Sequence, residues 1–236
     1  MNRHEHAWTI SPRVIENHGE TFGGRHIIGR DTRINGGIDV YSHRASAIVV
    51  DPNKYPAAYE RLRDESLSRA RSPHGIFDKH LLPGAVYDTV RANIRYSQTG
   101  VNHVQQIVAL QAYGTDEFPA LGKIELSEFI NDGVGVCRHM GLVAGILLEM
   151  HVDAGLLGGK ASVERNVRIT PGDEAIAHQW ARYTTSSGSP IIVDPAQGIY
   201  DSLSTIQQTL LHADPTVGPN GETTWIEYRR PEEIFN

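Results

Sequence analysis

The one cysteine of the 236-residue chain has the sequence surroundings of a reactive thiol. Cys137 follows a glycine-containing turn at 133–136 and precedes the apolar run 140–150, which together predict a buried helix from the cysteine to residue 150. A thiol at a helix start lies near unpaired backbone N–H groups and the positive end of the helix dipole, which both favour the thiolate. Because a lone cysteine is more often a small core residue, Cys137 indicates catalysis only if it has partners.

Two such partners follow in the sequence. Period-two patterns predict strands at 174–183, which contains His178, and at 190–194, which ends on Asp194, with the turn 184–189 between them. An antiparallel hairpin centred on Ser186 pairs His178 directly with Asp194 on one face of the sheet. A slip by one residue would move the aspartate to the opposite face.

The three side chains together are what nucleophilic catalysis on a carbonyl requires. The imidazole of His178 takes the thiol proton, and the carboxylate of Asp194 orients the ring and stabilises the imidazolium. Alone, His178 would be read as a structural strand histidine and Asp194 as a strand-end residue before proline. Their combination with a cysteine at a helix start favours a Cys-His-Asp triad.

The three segments resemble the transglutaminase-like cysteine superfamily. The matching blocks are Gly135-Val136-Cys137 before a helix, His178-Gln179-Trp180 on a strand and Val193-Asp194-Pro195 on the next strand, within residues 82–200. The resemblance implies an α+β, papain-like core in which the cysteine-bearing central helix packs on an antiparallel sheet. It also implies a catalytic triad that needs no cofactor and forms a thioester with the substrate.

Members of that superfamily act as transglutaminases, glutamine deamidases, peptidases or glycan-amidases. We therefore expect acyl transfer on a protein or peptide substrate, at a glutamine side chain or a peptide amide. Hydrolysis is favoured over crosslinking, because crosslinking requires a site that excludes water and admits an amine. Two alternatives stay open, namely a non-catalytic binding or scaffold protein that retains the fold, and a small-molecule amide synthase. The presence of all three triad residues favours an enzyme.

The oxyanion formed during acyl transfer needs hydrogen-bond donors. The first is the backbone N–H of Cys137 at the helix start. We expect the side chain of Asn131, six residues earlier, to be the second donor. Gln105 and Gln106 of an earlier predicted helix are alternatives. Asn131 fits the end of a helix equally well. Trp180 is predicted to pack beside the active-site histidine or within the core.

Composition and the positions of turn-forming residues predict two regions. Residues 1–75 are expected to form an N-terminal extension or cap, with short strands at 38–41 and 45–50 and a helix at 55–71. Residues 76–236 are expected to form the catalytic domain. Its further predicted helices are 82–96, 104–113, 126–130 and 203–211, its further strands are 154–163 and 223–228, and a loop is predicted at 214–221. Helices followed by an antiparallel sheet make an α+β domain.

Charge, histidine placement and hydropathy limit the partners and the compartment that we expect. The net charge is −6 and the arginines of 61–71 alternate with acidic residues, so we expect no nucleic acid. The twelve histidines are dispersed, and Cys137, His139 and His178 lack zinc-ligand spacing, so we expect no metal. No apolar run is long enough for a membrane span, and the first residues lack the apolar stretch of a secretory signal. We expect a cytoplasmic protein, with export by a dedicated secretion system left open.

Overall fold

The computed structural model describes residues 21–40, 47–112, 123–169, 175–212 and 225–234, and these form an α+β structure, as predicted. The α-helices are α1 (Pro56–Arg69), α2 (Leu82–Asn93), α3 (Gln98–Ala112), α4 (Leu126–Asp132), α5 (Cys137–Asp153), α6 (Leu203–His212) and α7 (Pro231–Ile234). The strands are β1 (Thr21–Phe22), β2 (Arg25–His26), β3 (Ile38–Asp39), β4 (Ala47–Val49), β5 (Arg95–Tyr96), β6 (Lys123–Glu125), β7 (Val134–Gly135), β8 (Lys160–Ile169), β9 (Ala175–Thr184), β10 (Pro190–Asp194), β11 (Ile199–Ser202) and β12 (Trp225–Ile226). The loop predicted at 214–221 and the first twenty residues lie outside the described ranges.

The main sheet has five strands in the order β11-β10-β9-β8-β12, and every neighbouring pair is antiparallel. The strand predicted at 154–163 was wrong by six residues. Helix α5 continues to Asp153, three residues past its predicted end, and the chain then turns through Gly155 (φ 70°) and Gly159 (φ 101°) before β8 begins. At Gly159 a side chain would lie 2.1 Å from the Thr184 carbonyl oxygen, so the turn requires glycine.

Helix α3 also differs from its prediction. It begins at Gln98 rather than 104, because the hydroxyl of Ser97 accepts a hydrogen bond from the backbone N–H of Gly100 (3.0 Å) and caps the first turn. Gly100 in the first turn allows close packing, since a β-carbon there would lie 2.8 Å from Val134. Helix α2 ends at Asn93, and the last residues predicted for it form β5 instead.

Helix α5 is the centre of the core, as its apolar sequence predicted. Leu142, Ile146 and Leu147 have no exposed surface and pack with residues of α1, α2, β8 and β9 in one hydrophobic cluster. The first turns of this helix pack against the middle of β9. None of the helices within the described ranges is long and apolar enough to cross a bilayer.

The N-terminal segment shares that core. Ile28, Ile34 and Tyr59 are fully buried in the same cluster as the residues of α5. Strand β4 pairs in parallel with β6, which lies on the far side of residue 75, and antiparallel with β3. Residues on both sides of the boundary predicted at residue 75 therefore share one hydrophobic core.

Candidate catalytic site

A fixed turn places Cys137 at the first position of helix α5. Gly133 adopts a left-handed conformation (φ 65°) at the end of α4, and the next two residues form β7, which pairs in parallel with β5. Val136 is extended, and its backbone N–H donates to Nδ1 of His139 (3.3 Å). Cys137 is half-buried.

Two glycines allow α5 to approach the sheet closely. Gly141 follows Cys137 by one helical turn and Gly145 by two, so the three lie on one face of the helix. A β-carbon at Gly141 would lie 3.1–3.2 Å from backbone atoms of Gln179 and Trp180 on β9. At Gly145 it would meet the side-chain ends of Ile34 and Val163 instead, at 2.9 and 3.0 Å. The close contact at Gly141 brings the thiol to the strand that carries the histidine.

His178 and Asp194 form a buried pair, with 2.6 Å between Nε2 of the histidine and Oδ2 of the aspartate. The register predicted for their strands was wrong by two residues. Ile191 pairs with Tyr183, so the hairpin centres on Ser187 and Asp194 lies diagonally across from His178. A shift of two residues preserves the face of the sheet, because side chains alternate with a period of two. The predicted contact therefore forms despite the wrong register.

The thiol completes the arrangement. The side chains of Cys137 and His178 interact electrostatically, and since Nε2 is bound to Asp194, Nδ1 is the ring nitrogen left for sulfur. Burial alone would raise the pKa of the Cys137 thiol, but the hydrogen bond and charge of His178 and the backbone N–H of Gln179 outweigh burial and lower it. Burial also opposes the imidazolium of His178, yet Asp194 and Cys137 raise the pKa of that ring to about 10. The site favours a thiolate–imidazolium pair.

Hydrogen bonds hold the carboxylate of Asp194 at both of its oxygens. The hydroxyl of Tyr228 donates to Oδ2 (2.8 Å), the oxygen that also binds His178, while the backbone N–H of Gln197 donates to Oδ1 (3.2 Å). Burial and the neighbouring Asp194 raise the pKa of Tyr228, so this phenol stays protonated and remains a donor. Tyr228 is not recognisable in the sequence as a partner of Asp194, because it lies 34 residues beyond it in no known motif.

Comparison of the chain with protein-family models, curated proteins and solved structures found no match. The chemistry of the site is therefore inferred from its own residues.

Trp180 lies next to the triad. Its ring stacks on that of His178, with centroids 5.9 Å apart and planes 23° apart, and the ring of Tyr228 meets it edge-on at 4.9 Å. Both of these aromatic residues are buried. The imidazole of His178 therefore packs against a buried pair of aromatic rings.

The residues predicted to complete the oxyanion site differ in exposure. Asn131 is exposed in the last turn of α4, and Gln106 is exposed on α3, with Gln105 half-buried beside it. The backbone N–H of Cys137 lies in the first turn of α5, where no residue of the helix itself can accept its hydrogen bond. It is the donor that the geometry supports, and the role of Asn131 stays a prediction.

His139 is close to the cysteine in sequence but is not a second base. Burial, together with the adjacent Arg138, lowers the pKa of His139 to about 3, and its ring packs on Phe129 with centroids 4.2 Å apart. It is a neutral side chain that caps the turn before α5. Within the described ranges, no three His, Cys, Asp or Glu side chains gather in a group able to hold a metal ion.

Adding one methyl group at Gly141 is expected to uncouple the thiol from the histidine. In Gly141→Ala the β-carbon meets the backbone of β9, which cannot rotate away, so the start of α5 must move by tenths of an ångström. We expect a loss of activity of more than about tenfold and up to about a hundredfold, the cost of misplacing reacting groups by about 1 Å. Rates of acyl transfer for the purified variant and the unaltered protein would measure it.

Gly145→Ala is the matched control for that change. It adds the same methyl group to the same helix, but the atoms it meets are the movable ends of Ile34 and Val163. We expect this variant to keep activity within about a factor of ten, because flexible side chains can repack around one methyl group. Equal losses in the two variants would contradict a specific role for the contact between Gly141 and β9.

Proposed function

We propose that this protein is a cysteine-dependent acyltransferase that acts on an amide of a protein or peptide, with water as the usual acceptor. The observation that carries the proposal is the cluster of Cys137, His178 and Asp194. The thiol lies at a helix start and interacts with the imidazole, which a buried carboxylate holds by a hydrogen bond. A helix start packed against an antiparallel sheet also supports our proposal of a papain-like core related to transglutaminase-like proteins.

The chemistry follows from the charges of the pair. The Cys137 thiolate attacks the carbonyl carbon of the amide, and the developing oxyanion accepts a hydrogen bond from the backbone N–H of Cys137. As the C–N bond breaks, the imidazolium of His178 gives its proton to the leaving amine, and a thioester remains on sulfur. Water then attacks the thioester while His178 takes its proton, the C–S bond breaks, and the acid product leaves.

Asp194 acts through the histidine and not on the substrate. Its carboxylate binds Nε2–H of His178, which keeps Nδ1 turned toward sulfur and stabilises the ring when it is charged. Tyr228 and the backbone of Gln197 hold the carboxylate in that orientation. Proton transfer by a ring fixed in this way needs no reorganisation at the moment of reaction.

We further propose that the protein works in the cytoplasm. Its one cysteine is unpaired, and the mechanism requires it as a free thiol. Reducing compartments keep thiols in that form.

The proposal can be tested on a peptide digest that is rich in glutamine. The digest is treated with the protein first in the presence of hydroxylamine and then in the presence of a primary amine. Hydroxylamine captures a thioester as a hydroxamate, and mass spectrometry of the digest identifies the products. Deamidated glutamine, a cleaved peptide bond or an amine-linked glutamine would identify a deamidase, a peptidase or a transglutaminase respectively.

The remaining outcomes contradict the proposal in distinct ways. Turnover of only small acyl-thioester donors would identify an amide synthase. The absence of a hydroxamate and of all three products, together with an unreactive thiol, would identify a binding or scaffold protein that retains the triad residues without activity.

A further inference from the structure

We propose that Gln179 is a positioning residue for Cys137, and that two arginines bound to Asp39 of the N-terminal segment hold Gln179 in place. This inference rests on the proposed function, because it assigns a role in preparing the same thiol. It extends that function to residues outside the Cys-His-Asp triad.

Gln179 contacts the first turn of helix α5 through its backbone. Its N–H helps to lower the pKa of the Cys137 thiol. One turn along the helix, a β-carbon at Gly141 would lie 3.2 Å from the Gln179 carbonyl oxygen, which shows how closely the two backbones approach. A hydrogen bond to sulfur favours the charged form of the thiol, and its strength depends on the distance between helix and strand.

The Gln179 side chain ties the strand to the helix a second time. It is almost completely buried, and its Nε2 donates to the carbonyl oxygen of Arg138 (3.3 Å), the residue that follows the cysteine. Its Oε1 accepts from Nε of Arg165 (2.8 Å), which lies directly across from it on β8. Both ends of the amide are therefore fixed, and its orientation is determined by the two partners.

Asp39 holds the two arginines. Arg138 and Arg165 each form an ion pair with its carboxylate, and Arg138 also donates to its backbone carbonyl (2.7 Å). Asp39 has no exposed surface, and both arginines are almost fully buried. Buried charges of this kind persist only when they are paired and hydrogen-bonded, so the arrangement has one geometry.

The origin of Asp39 gives the N-terminal segment a role. Asp39 lies on β3, 99 residues before Arg138, and β3 belongs to the small sheet that joins residues on both sides of residue 75. Arg165 also reaches the carbonyl oxygens of Ile28 (3.3 Å) and Val40 (3.5 Å). The segment thus builds the support of the catalytic cysteine instead of acting as a separable cover.

Alkylation of the full chain by iodoacetamide as a function of pH tests this role directly. The chain has one cysteine, so intact mass reports on Cys137 alone. Gln179→Met removes both polar ends of the side chain at similar length. Arg165→Lys keeps a positive charge for Asp39 but loses the planar fork whose Nε binds Gln179. We expect each variant to raise the pH midpoint of alkylation by about one unit, as for a weakened hydrogen bond to a charged group.

Tyr183→Phe is the matched control. It also deletes a hydrogen bond from a side chain of β9 to a backbone carbonyl. That bond, to Gly158, is partly buried and lies at the end of the strand away from the cysteine. We expect its midpoint to match that of the unaltered protein. Circular dichroism melts of all variants establish that a shifted midpoint belongs to a folded protein, and the use of two variants keeps the test decisive if one of them unfolds.

The result that would overturn the inference is separate from the one that would overturn the function. Midpoints of Gln179→Met and Arg165→Lys equal to that of the unaltered protein, with a midpoint that His178→Ala still raises, would remove Gln179 from the site and leave the triad intact. An unaltered protein whose midpoint is near the ordinary thiol value of about 8.5 and is indifferent to His178→Ala would overturn both proposals.

Discussion

Cys137→Ala is expected to abolish acyl transfer, with a loss of at least about a thousandfold, while the protein stays folded. The substitution removes the only atom that can form the thioester, and loss of a nucleophile in comparable triads costs more than loss of any residue that acts through it. Alanine is a good helix former, so the start of α5 should persist. The rate of hydroxamate formation from a peptide digest and the melting temperature would be measured together.

Cys137→Ser separates the role of sulfur from that of shape. The hydroxyl keeps a hydrogen-bonding group beside His178 and the backbone N–H of Gln179, but it ionises far less readily than a thiol and is a poorer nucleophile. We expect the serine variant to be nearly as inactive as the alanine variant and at least as stable. Turnover in Cys137→Ala at the rate of the unaltered protein would show that another group forms the covalent bond, or that none forms.

The parts of the site that the sequence could predict are those with local causes. A glycine-containing turn before an apolar run marks the start of α5, and it marks the position of Cys137 as well. The face shared by His178 and Asp194 follows from strand alternation alone, so it survived an error of two residues in the register. Turn length, which sets register, depends on the conformation of Gly188 (φ 87°), and that is decided by the folded hairpin.

The supporting residues could not be predicted, because their contacts join distant segments of the chain. Asp39 lies 99 residues before Arg138, and Tyr228 lies 34 residues after Asp194. Neither belongs to a motif, and each would be read alone as an ordinary strand residue. Gln179 belongs to the segment His178-Gln179-Trp180 that resembles a family motif. Its role nevertheless depends on Arg165 and on the position of helix α5, which only the tertiary structure provides.

The boundary at residue 75 shows the same limit. The sequence around it contains proline, glycine and serine, which are typical of linkers, and the structure does form an exposed turn there. Nevertheless, β4 on one side pairs with β6 on the other, and Tyr59 of α1 packs in the core around α5. Composition indicates where a chain turns, but burial determines which segments fold as one unit.

Asp194→Asn is expected to lower the acyl-transfer rate by about a hundred- to ten-thousandfold, and by no more than Cys137→Ala does. The hydrogen bonds around Asp194 explain why. Its Oδ1 accepts the backbone N–H of Gln197, which can only donate, so the amide oxygen of asparagine must take that place. The amide NH₂ then occupies the place of Oδ2 and donates to Nε2 of His178, which moves the ring proton to Nδ1, the nitrogen that should accept the thiol proton.

The charge of the histidine changes in the same variant. Loss of the carboxylate removes the main influence that raises the pKa of His178, so its imidazolium form is lost at lower pH and the activity that remains should fall at lower pH than in the unaltered protein. Tyr228→Phe is the matched control, because it keeps the carboxylate and deletes one hydrogen bond to the same oxygen. We expect this control to lose about tenfold, the effect of one hydrogen bond to a charged group, with His178 still in the productive tautomer. Rates measured across pH for both variants would distinguish loss of the carboxylate from loss of one hydrogen bond to it. If Asp194→Asn were as active as Tyr228→Phe, the carboxylate would orient the ring without controlling its proton.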